Sequence, residues 1–281
     1  MKVLVLGASG QLGSEIKFLA DGFPFQFEFC GSKGLDVSKE DQVRLKLSDG
    51  QYDYVVNCSA YTAVDKAETE IEKAEAVNVN GAKHLAKECK SANSILIHVS
   101  TDFVFDGDKN TPYEEEDFTN PLGIYGQTKL DGEKEIQKHL GKHFIIRTSW
   151  LYSSFGNNFV KTMLRLSENN EEIGVICDQI GTPTYARDLA ELILKIIQDS
   201  NSNFGIYHFS NHGVASWYDF AKAIFELKSI ELIVNPIGTV DYPTPAERPK
   251  YSVLSKSKLE KNIRYKVPYW RESLSRMLKV L

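Results

Sequence analysis

The sequence contains few cysteines and no pattern that would pair them. Cys30, Cys58, Cys89 and Cys177 lie far apart, with no C-x-x-C motif and no histidine at metal-ligand spacing. This argues against a disulfide framework and against a zinc site. We therefore expect four reduced, mostly buried thiols, as in a cytoplasmic protein.

Long hydrophobic runs and clusters of positive charge are also missing. No apolar stretch approaches the length of a membrane-spanning helix, and Met1–Leu6 is too short for the apolar region of a signal peptide. The net charge is −5 and no Lys/Arg-rich run occurs, so the chain carries no basic footprint for nucleic acid. We expect a cytoplasmic protein that binds neither a membrane nor nucleic acid.

What is present is the pattern of an α/β fold. In the first half of the chain, short apolar runs alternate with segments of helical spacing, which predicts a Rossmann-like, doubly wound parallel sheet. We expect strands at 3–6, 25–30, 54–58, 95–100 and 144–147, and helices at 12–19, 42–47, 71–91 and 127–140. Ligands of such sheets bind beyond the carboxyl ends of the strands, where Gly7, Ser59 and Thr101 would lie.

The second half of the chain has a looser pattern. Helical spacing at 158–169, 186–200 and 217–227 surrounds one strand-like run at 175–178, and a proline-rich loop follows at 243–249. We expect a dinucleotide-binding domain over residues 1–149, together with parts of 172–200 and 238–256. A smaller α/β substrate-binding cap, interwoven with it, would occupy most of 150–281.

A glycine-spaced turn follows the first predicted strand. Its G-x-x-G-x-x-G spacing lets the backbone approach a pyrophosphate and lets the helix pack closely on the strand. An ordinary βα turn is the minor alternative. The residues of this turn that we expect at a cofactor are Gly7, Gly10, Gln11, Leu12 and Gly13.

The end of the second predicted strand indicates which nicotinamide cofactor is used. NAD-binding folds usually have an acidic residue there, but Ser32 and Lys33 stand at this point. A hydroxyl and a cation suit a 2′-phosphate, so we expect NADPH, with NADH as the alternative. Lys33 is equally well explained as a solvated loop lysine. Asp36 is a candidate for the adenine region, or else an N-cap-type residue of the next helix.

The pair Tyr125 and Lys129 carries the strongest chemical signal. Four residues apart on a helix, the two side chains share one face, and an ammonium beside a phenol favours the phenolate. A Y-x-x-x-K pattern alone is common by chance. Here it follows Thr101 and Asp102 at the end of the fourth predicted strand, where a hydroxyl can hydrogen-bond a substrate carbonyl. Together these residues predict transfer of a hydride and a proton to or from a carbonyl.

With these motifs in view, the sequence resembles the extended short-chain dehydrogenase/reductases, specifically their nucleotide-sugar 4-ketoreductase branch. The likeness covers almost the whole chain. Its most specific parts are the Val-Asp pair after Thr-Ala, the Ser-Thr-Asp-x-Val-Phe run and a late Arg-Pro. The segments that carry it are 7–13, 56–65, 100–107, 125–129, 147–150, 179–184 and 248–254.

The resemblance implies a site and a reaction. Tyr125 would protonate the C4 oxygen of a dTDP-linked 4-keto-6-deoxy sugar as NADPH or NADH delivers hydride to C4. Lys129 would bind the nicotinamide ribose and lower the pKa of Tyr125, and Thr101 would hold the keto oxygen. Further cofactor contacts would come from Ser59, Ala60 and Tyr61. Substrate contacts would come from Thr62, Val64, Thr101, Asp102, Trp150, Asn158 and Arg248. Trp150 is equally compatible with a place in the core.

Departures from the family pattern leave Thr101, Tyr125 and Lys129 unchanged but bear on which sugar is bound. Phe103 stands where many relatives have tyrosine, Gly123 where many have asparagine, and Ser59 where alanine is common. Some relatives bind Mg²⁺ through glutamates at a homodimer interface. Glu15 lies at a matching place, but one carboxylate makes no metal site, so Mg²⁺ is possible but unsupported and we expect Glu15 to be a plain surface glutamate. A homodimer remains open.

Two other functions remain open from the sequence. One is a nucleotide-sugar dehydratase or epimerase on the same fold. Phe103 argues against a dehydratase, because those enzymes have a glutamate after the Thr-Asp pair and a phenyl ring transfers no proton. The other is a non-enzymatic protein like the regulatory subunit of methionine adenosyltransferase. The intact Thr101, Tyr125 and Lys129 weigh against it.

Overall fold

The computed structural model describes all 281 residues and shows an α/β architecture. Its strands are β1 (Lys2–Leu6), β2 (Gln26–Cys30), β3 (Tyr54–Asn57), β4 (Ile95–Thr101), β5 (His143–Thr148), β6 (Leu151–Tyr152), β7 (Glu172–Ile176), β8 (Ile180–Gly181), β9 (Thr184–Tyr185), β10 (Gly205–His208), β11 (Ala215–Ser216) and β12 (Ile233–Ile237). Its α-helices are α1 (Gln11–Leu19), α2 (Glu40–Gly50), α3 (Val64–Ala67), α4 (Ile71–Glu75), α5 (Gly81–Ser91), α6 (Ile124–His139), α7 (Phe159–Ser167), α8 (Ala186–Gln198), α9 (Trp217–Lys228), α10 (Ser257–Ile263) and α11 (Trp270–Leu278).

A six-stranded parallel sheet forms the centre of the molecule. The strand order is β10-β5-β4-β3-β1-β2, and each neighbouring pair is parallel. Every residue of β3 and β5 is buried, as expected for strands of a parallel sheet covered on both faces. The order of the strands reverses at β1, with β2 on one side of it and β3 on the other, and such a switch point opens the crevice in which these sheets bind ligands. The predicted Rossmann-like fold is confirmed.

Two apolar layers cover the faces of this sheet. On one face α1 and α8 pack together, with Ile16 and Ile193 in the same buried cluster. On the other face α2, α5 and α6 contribute Val43, Leu85 and Ile136 to a second cluster. The helices therefore hold the strand ends, and the loops that follow them, in fixed positions.

The helix predicted over 71–91 is interrupted in the structure. It consists of α4, a π-helical turn at Ala76–Asn80 and α5. The π turn places Asn78 in the buried space against α6. π turns within helices are frequent at functional sites. The helix predicted from residue 127 begins three residues earlier, at Ile124, so it includes Tyr125.

The sixth strand of the central sheet comes from the second half of the chain. Strand β10 lies outside every range predicted for the dinucleotide-binding part, yet it pairs with β5 from Gly205↔Phe144 to His208↔Arg147. Its sequence, Gly-Ile-Tyr-His, is too short for periodicity to distinguish it from a loop.

The remaining elements of the second half form a separate apolar cluster. Helices α7, α9 and α11 pack around Phe220, Ile224 and Leu274, next to the two-stranded β7–β12 pair. This part of the structure borders the carboxyl edge of the central sheet. No helix of the structure combines the length and the apolar character that crossing a bilayer requires.

Candidate active site

A cleft with a volume of about 770 Å³ lies at the carboxyl ends of β1, β3 and β4. The residues that line it come from the glycine turn, the loops after β2 and β3, the end of β4 and helix α6. The sequence-predicted residues on its wall are Gly7, Gly10, Gln11, Leu12, Gly13, Ser32, Asp36, Ser59, Ala60, Tyr61, Thr62, Val64, Thr101, Asp102, Tyr125, Lys129 and Trp150.

The glycine turn is shaped by close backbone contacts. Gly7 has φ of +69°, and a Cβ there would lie 2.7 Å from the Cys58 carbonyl carbon and the Ser59 nitrogen. A Cβ at Gly13 would lie 2.5 Å from the Gly7 oxygen. Side chains at these positions would therefore push β1, α1 and the end of β3 apart. The nine-residue helix α1 starts just after Gly10, which places its N-terminal N–H groups at the cleft, as phosphate binding requires.

Helix α6 carries Tyr125 and Lys129 into the cleft from the opposite wall. Its first N–H group, on Ile124, donates to Glu68 Oε1 at 2.9 Å, so Glu68 caps the helix from α3's C-terminal side. Gly126 lets the helix approach the turn after β4, because a Cβ there would lie 2.2 Å from the Phe103 oxygen. These contacts fix the position and rotation of α6, and with them the position of Tyr125.

Tyr125 is a protonated phenol in this environment. Burial raises the pKa of Tyr125 to about 12, although the neighbouring Thr101 side chain lowers it, and Asp102 raises it further. The Phe103 ring packs edge-on against the Tyr125 ring, with centroids 5.5 Å apart. The prediction that Lys129 lowers the pKa of Tyr125 is wrong for this structure.

The amino group of Lys129 is engaged elsewhere, which explains that difference. Lys129 is buried, and its Nζ donates to the Val99 carbonyl at 2.7 Å and lies 3.3 Å from His98 Nε2. Burial lowers the pKa of Lys129 to about 8, against an opposing contribution from Glu133. Its amino group is therefore held at the end of β4 and not at the phenol.

Thr101 and Asp102 form a coupled pair beside Tyr125. Thr101 Oγ1 donates to Asp102 Oδ1 at 3.1 Å and accepts from the Phe103 N–H at 3.2 Å. Asp102 Oδ2 is buried without a partner, and burial raises the pKa of Asp102 to about 6. Because a hydroxyl has one proton, Thr101 can donate to a substrate oxygen only when it turns away from Asp102.

A second cleft of about 450 Å³ continues from the first. Phe103 and Trp150 belong to the walls of both. Trp150 stacks on Trp217 with ring centroids 3.6 Å apart, and its backbone has φ of +47°. The two clefts are therefore neighbouring spaces that meet at Phe103 and Trp150.

Comparison with known proteins identifies the family. The sequence model described as RmlD substrate binding domain matches residues 1–281. The chain belongs to the RmlD substrate binding domain family. A relative from Aggregatibacter actinomycetemcomitans, named dTDP-4-dehydrorhamnose reductase, is 41% identical over 97% of each chain.

Two solved structures from the RmlD family are similar over the full chain. A dTDP-4-dehydrorhamnose reductase from Clostridium acetobutylicum is 41% identical, with a TM-score of 0.97, and covers 100% of this chain and 99% of its own. One from Bacillus anthracis, solved in complex with NADP, is 38% identical with a TM-score of 0.96 and the same coverage.

Three residues that the sequence assigned to ligands do not lie on the wall of the first cleft. Lys33 is exposed and lines a separate surface pocket together with Lys46 and Glu28, whereas Ser32 next to it lies on the wall of the first cleft. Asn158 caps α7 through the Lys161 N–H. Lys33 and Asn158 therefore do not line the first cleft, and their contacts with cofactor and substrate stay predictions.

Asn158 and Arg248 are instead parts of the surrounding framework. Asn158 Nδ2 donates to Gln11 Oε1 at 2.9 Å, so it positions a residue that does line the first cleft. Arg248 lines the second cleft, where its guanidinium donates to both carboxylate oxygens of Asp65, at 2.8 and 2.9 Å. Asp36 lines the first cleft and accepts from the Ser38 N–H and hydroxyl.

Sequence reasoning missed two residues that position the site in this RmlD family member. Glu68 caps α6, and Asn78 holds the Tyr61 backbone through bonds of 2.9 and 3.2 Å while donating to Thr128 of α6 at 3.1 Å. Gly123 was the available signal for Glu68, since a Cβ there would lie 2.7 Å from its carboxylate. No local pattern indicates Asn78, because its partners are distant in sequence.

The residues around Glu15 do not fit a metal ion. The expectation of a surface glutamate is wrong, because Glu15 is fully buried, with Oε1 accepting from Ser153 at 2.7 Å and Oε2 from Arg187 at 2.8 Å. No group of three His, Cys, Asp or Glu side chains has the arrangement of a metal site. The guanidinium of Arg187 occupies the place beside Glu15 that a cation would need.

Proposed function

We propose that this protein reduces the C4 keto group of dTDP-4-dehydrorhamnose to give dTDP-L-rhamnose. The observation that carries the proposal is the gathering of Thr101, Tyr125 and Lys129 on one cleft with the glycine turn. Full-length relatives in which the reductase activity is named support it. The relative solved with NADP supports NADPH as the cofactor.

The first cleft fits a dinucleotide. The close approach at Gly7 and Gly13 leaves backbone, and no side chain, where a pyrophosphate would lie against α1. Ser32 and Asp36 would face the adenosine end, and Ser59, Ala60 and Tyr61 the middle of the cofactor. When bound, the reduced nicotinamide supplies the hydride for C4. Lys129 would hold its ribose through an N–H group that the Val99 carbonyl does not use.

Tyr125 would supply the proton. Because its pKa lies near 12, the phenol keeps its proton throughout the physiological range and donates it to the C4 oxygen as negative charge develops there. Thr101, turned away from Asp102, would donate to the same oxygen and orient it. The edge-on contact with Phe103 restricts the phenol to one orientation, which favours proton transfer along one direction.

The second cleft would hold the nucleotide sugar. Its aromatic walls, Trp150, Trp217 and Phe159, suit a thymine base or a deoxysugar ring. Arg248 would face the diphosphate only by sharing the guanidinium that now binds Asp65. We also propose that residues 1–149 with β10 serve cofactor binding and that most of the later chain serves substrate binding.

The test is the loss of NADPH absorbance with purified protein and dTDP-4-dehydrorhamnose prepared with a 3,5-epimerase. We expect oxidation that depends on the keto sugar, with dTDP-L-rhamnose as product, and a lower rate with NADH. Oxidation with a different keto sugar only would redirect the assignment to another nucleotide-sugar 4-ketoreductase. Cofactor binding without oxidation of any keto sugar would favour an epimerase or a non-enzymatic role.

A single substitution tests the proton donor. Tyr125→Phe removes the hydroxyl and keeps the ring that packs on Phe103, so kcat should fall about a hundredfold or more while the Kd for NADPH changes little. Tyr269→Phe is the matched control, because Tyr269 is exposed and lies on the loop before α11. Normal turnover of Tyr125→Phe would remove Tyr125 from the mechanism.

A further inference from the structure

A buried chain of polar side chains leads from the end of β3 to Lys129. Asn57 Nδ2 lies 3.0 Å from His98 Nδ1, and His98 Nε2 lies 3.3 Å from Lys129 Nζ. All three residues are buried, and Lys129 continues the chain to the Val99 carbonyl. Each member has a limited set of donors and acceptors, so the protons can be assigned from the contacts.

The assignment begins at Asn57, whose amide orientation is fixed by the backbone. The Ser59 N–H, which can only donate, lies 3.0 Å from Asn57 Oδ1. The amide oxygen therefore faces Ser59 and the NH₂ group faces His98. Since an amide NH₂ is only a donor, His98 Nδ1 must accept.

The proton of the His98 ring then lies on Nε2. Burial, together with the nearby charge of Lys129, holds the pKa of His98 well below its usual range, so the ring is neutral and carries one proton. With Nδ1 accepting, that proton is on Nε2 and points at Lys129 Nζ. An ammonium has only donors, so it would meet this N–H with no acceptor between them. A neutral amine can accept from Nε2–H and still donate to Val99.

We propose that His98 is a positioning residue that controls the charge of Lys129: its Nε2 proton favours the amine, and forming the ammonium requires the ring to move its proton to Nδ1. His98 and Lys129 thus change their protonation together, and the NH₂ group of Asn57 favours the state with a neutral Lys129. In the ammonium state Nε2 accepts from Lys129, and Nδ1–H needs an acceptor from Asn57, whose amide must turn away from Ser59.

The other charged or titratable groups around His98 and Lys129 act in both directions. Glu133, one turn further along α6, favours the ammonium, as does the Cys58 side chain after β3. His143 on β5 disfavours a charge on His98. Tyr125 on α6 and Asp102 after β4 lie on the same cleft. The lowered pKa of Lys129, about 8, agrees with a balance between the two states near neutral pH.

The tautomer of His98 is directly measurable. In protein labelled with ¹⁵N-histidine and ¹³C-lysine, long-range ¹H–¹⁵N spectra report which ring nitrogen carries the proton, and the Lys129 ¹³Cε shift reports its charge. His98→Gln and Lys129→Met spectra assign the signals. We expect Nε2–H at high pH and a change to Nδ1–H at the same midpoint at which Lys129 gains its proton, near pH 8. A tautomer that stays constant while Lys129 titrates would overturn the proposal.

Substitution of Asn57 tests the direction of the bias. Asn57→Asp offers Nδ1–H an acceptor and keeps the bond from Ser59, and Asn57→Ala removes the donor without adding charge. Both should raise the Lys129 midpoint, by about one pH unit or more. A rise in Asn57→Asp alone would mean that added charge, and not the tautomer, is responsible, and would contradict the proposal.

The kinetic consequence rests on the proposed function, but the spectra do not. If the protein is the reductase, the alkaline limb of kcat/KM should follow the Lys129 midpoint and move with it in both Asn57 variants. If no keto sugar is reduced, the proposed function fails while the NMR midpoints still decide the role of His98.

Discussion

Among the residues of the first cleft, Asp102 is a carboxyl group whose ionisation the folded structure disfavours. It is buried, one of its carboxylate oxygens has no partner, and its pKa is raised to about 6. A carboxyl whose pKa is higher in the folded than in the unfolded protein stabilises the fold while it is protonated. That contribution is present below its unfolded pKa and is lost as the pH rises through the folded pKa.

The stability of the Asp102→Asn variant, relative to that of the wild-type protein, should therefore increase as the pH rises. Between about pH 4 and pH 7, the free energy of unfolding of the variant minus that of the wild type should increase by about 2–3 kcal/mol. Urea denaturation at both pH values measures this difference. A difference independent of pH would show that Asp102 ionises normally.

Asp106 provides a control of opposite sign on the same loop. Although burial raises its pKa, hydrogen bonds from the Asp108 N–H and the Tyr113 hydroxyl bring it below the usual range. Asp106→Asn should thus lose more stability at neutral than at acidic pH. The pair of variants separates the effect of ionisation from that of removing a carboxylate.

At the scale of the element, helix α6 packs closely on its neighbours because it has glycines at the points of contact. Gly126 faces the Phe103 oxygen, and a Cβ at Gly132 would lie 2.2 Å from the Asn78 oxygen on the π turn. The helix is thus wedged between the turn after β4 and the π turn. Its position decides where the Tyr125 hydroxyl stands.

Gly126→Ala should shift the start of α6 away from the turn after β4. Misplacement of a catalytic group by about 1 Å can lower the rate about a hundredfold, so we expect a fall in kcat of at least tenfold with an almost unchanged Kd for NADPH. Gly141→Ala is the control, because a Cβ at Gly141 meets no atom within 4 Å. Equal kcat values for both variants would refute the packing argument.

The sequence sufficed for features that depend on neighbours along the chain. Tyr125 and Lys129 share a helix face because they are four residues apart, and Thr101 lies at the cleft because a strand ends there. The contact of Lys129 with His98 joins two elements, and periodicity carries no information on such a pair. The same holds for Asn158, whose partner Gln11 is 147 residues away, and for the Asp65–Arg248 pair.

At the scale of the whole molecule, Glu15 joins three distant segments. It lies on α1 and binds Ser153, after β6, and Arg187 on α8. Arg187 also packs over the exposed ring of Phe18, at 4.3 Å from its centroid. This pair joins α1, whose N-terminus lies at the first cleft, to the second half of the chain.

Removing the charge of Glu15 should be costly, because it leaves the guanidinium of Arg187 beside a neutral amide. We expect Glu15→Gln to lower the free energy of unfolding by about 3 kcal/mol, and EDTA to leave the melting temperature of the wild-type protein unchanged. Glu226→Gln is the control, since its pair with Arg271 is exposed and should contribute less than about 1 kcal/mol. A melting temperature raised by Mg²⁺ would contradict this account of Glu15.

Strand β10 lies late in the sequence, and this has a consequence for the synthesis of the chain. Until Gly205–His208 has left the ribosome, β5 is an unpaired sheet edge made of buried-type residues such as Phe144 and Ile146. A nascent chain that already contains the glycine turn, Thr101, Tyr125 and Lys129 therefore still lacks the sixth strand of the sheet. Translation must proceed about 80 residues past Lys129 before the central sheet can assemble all six of its strands.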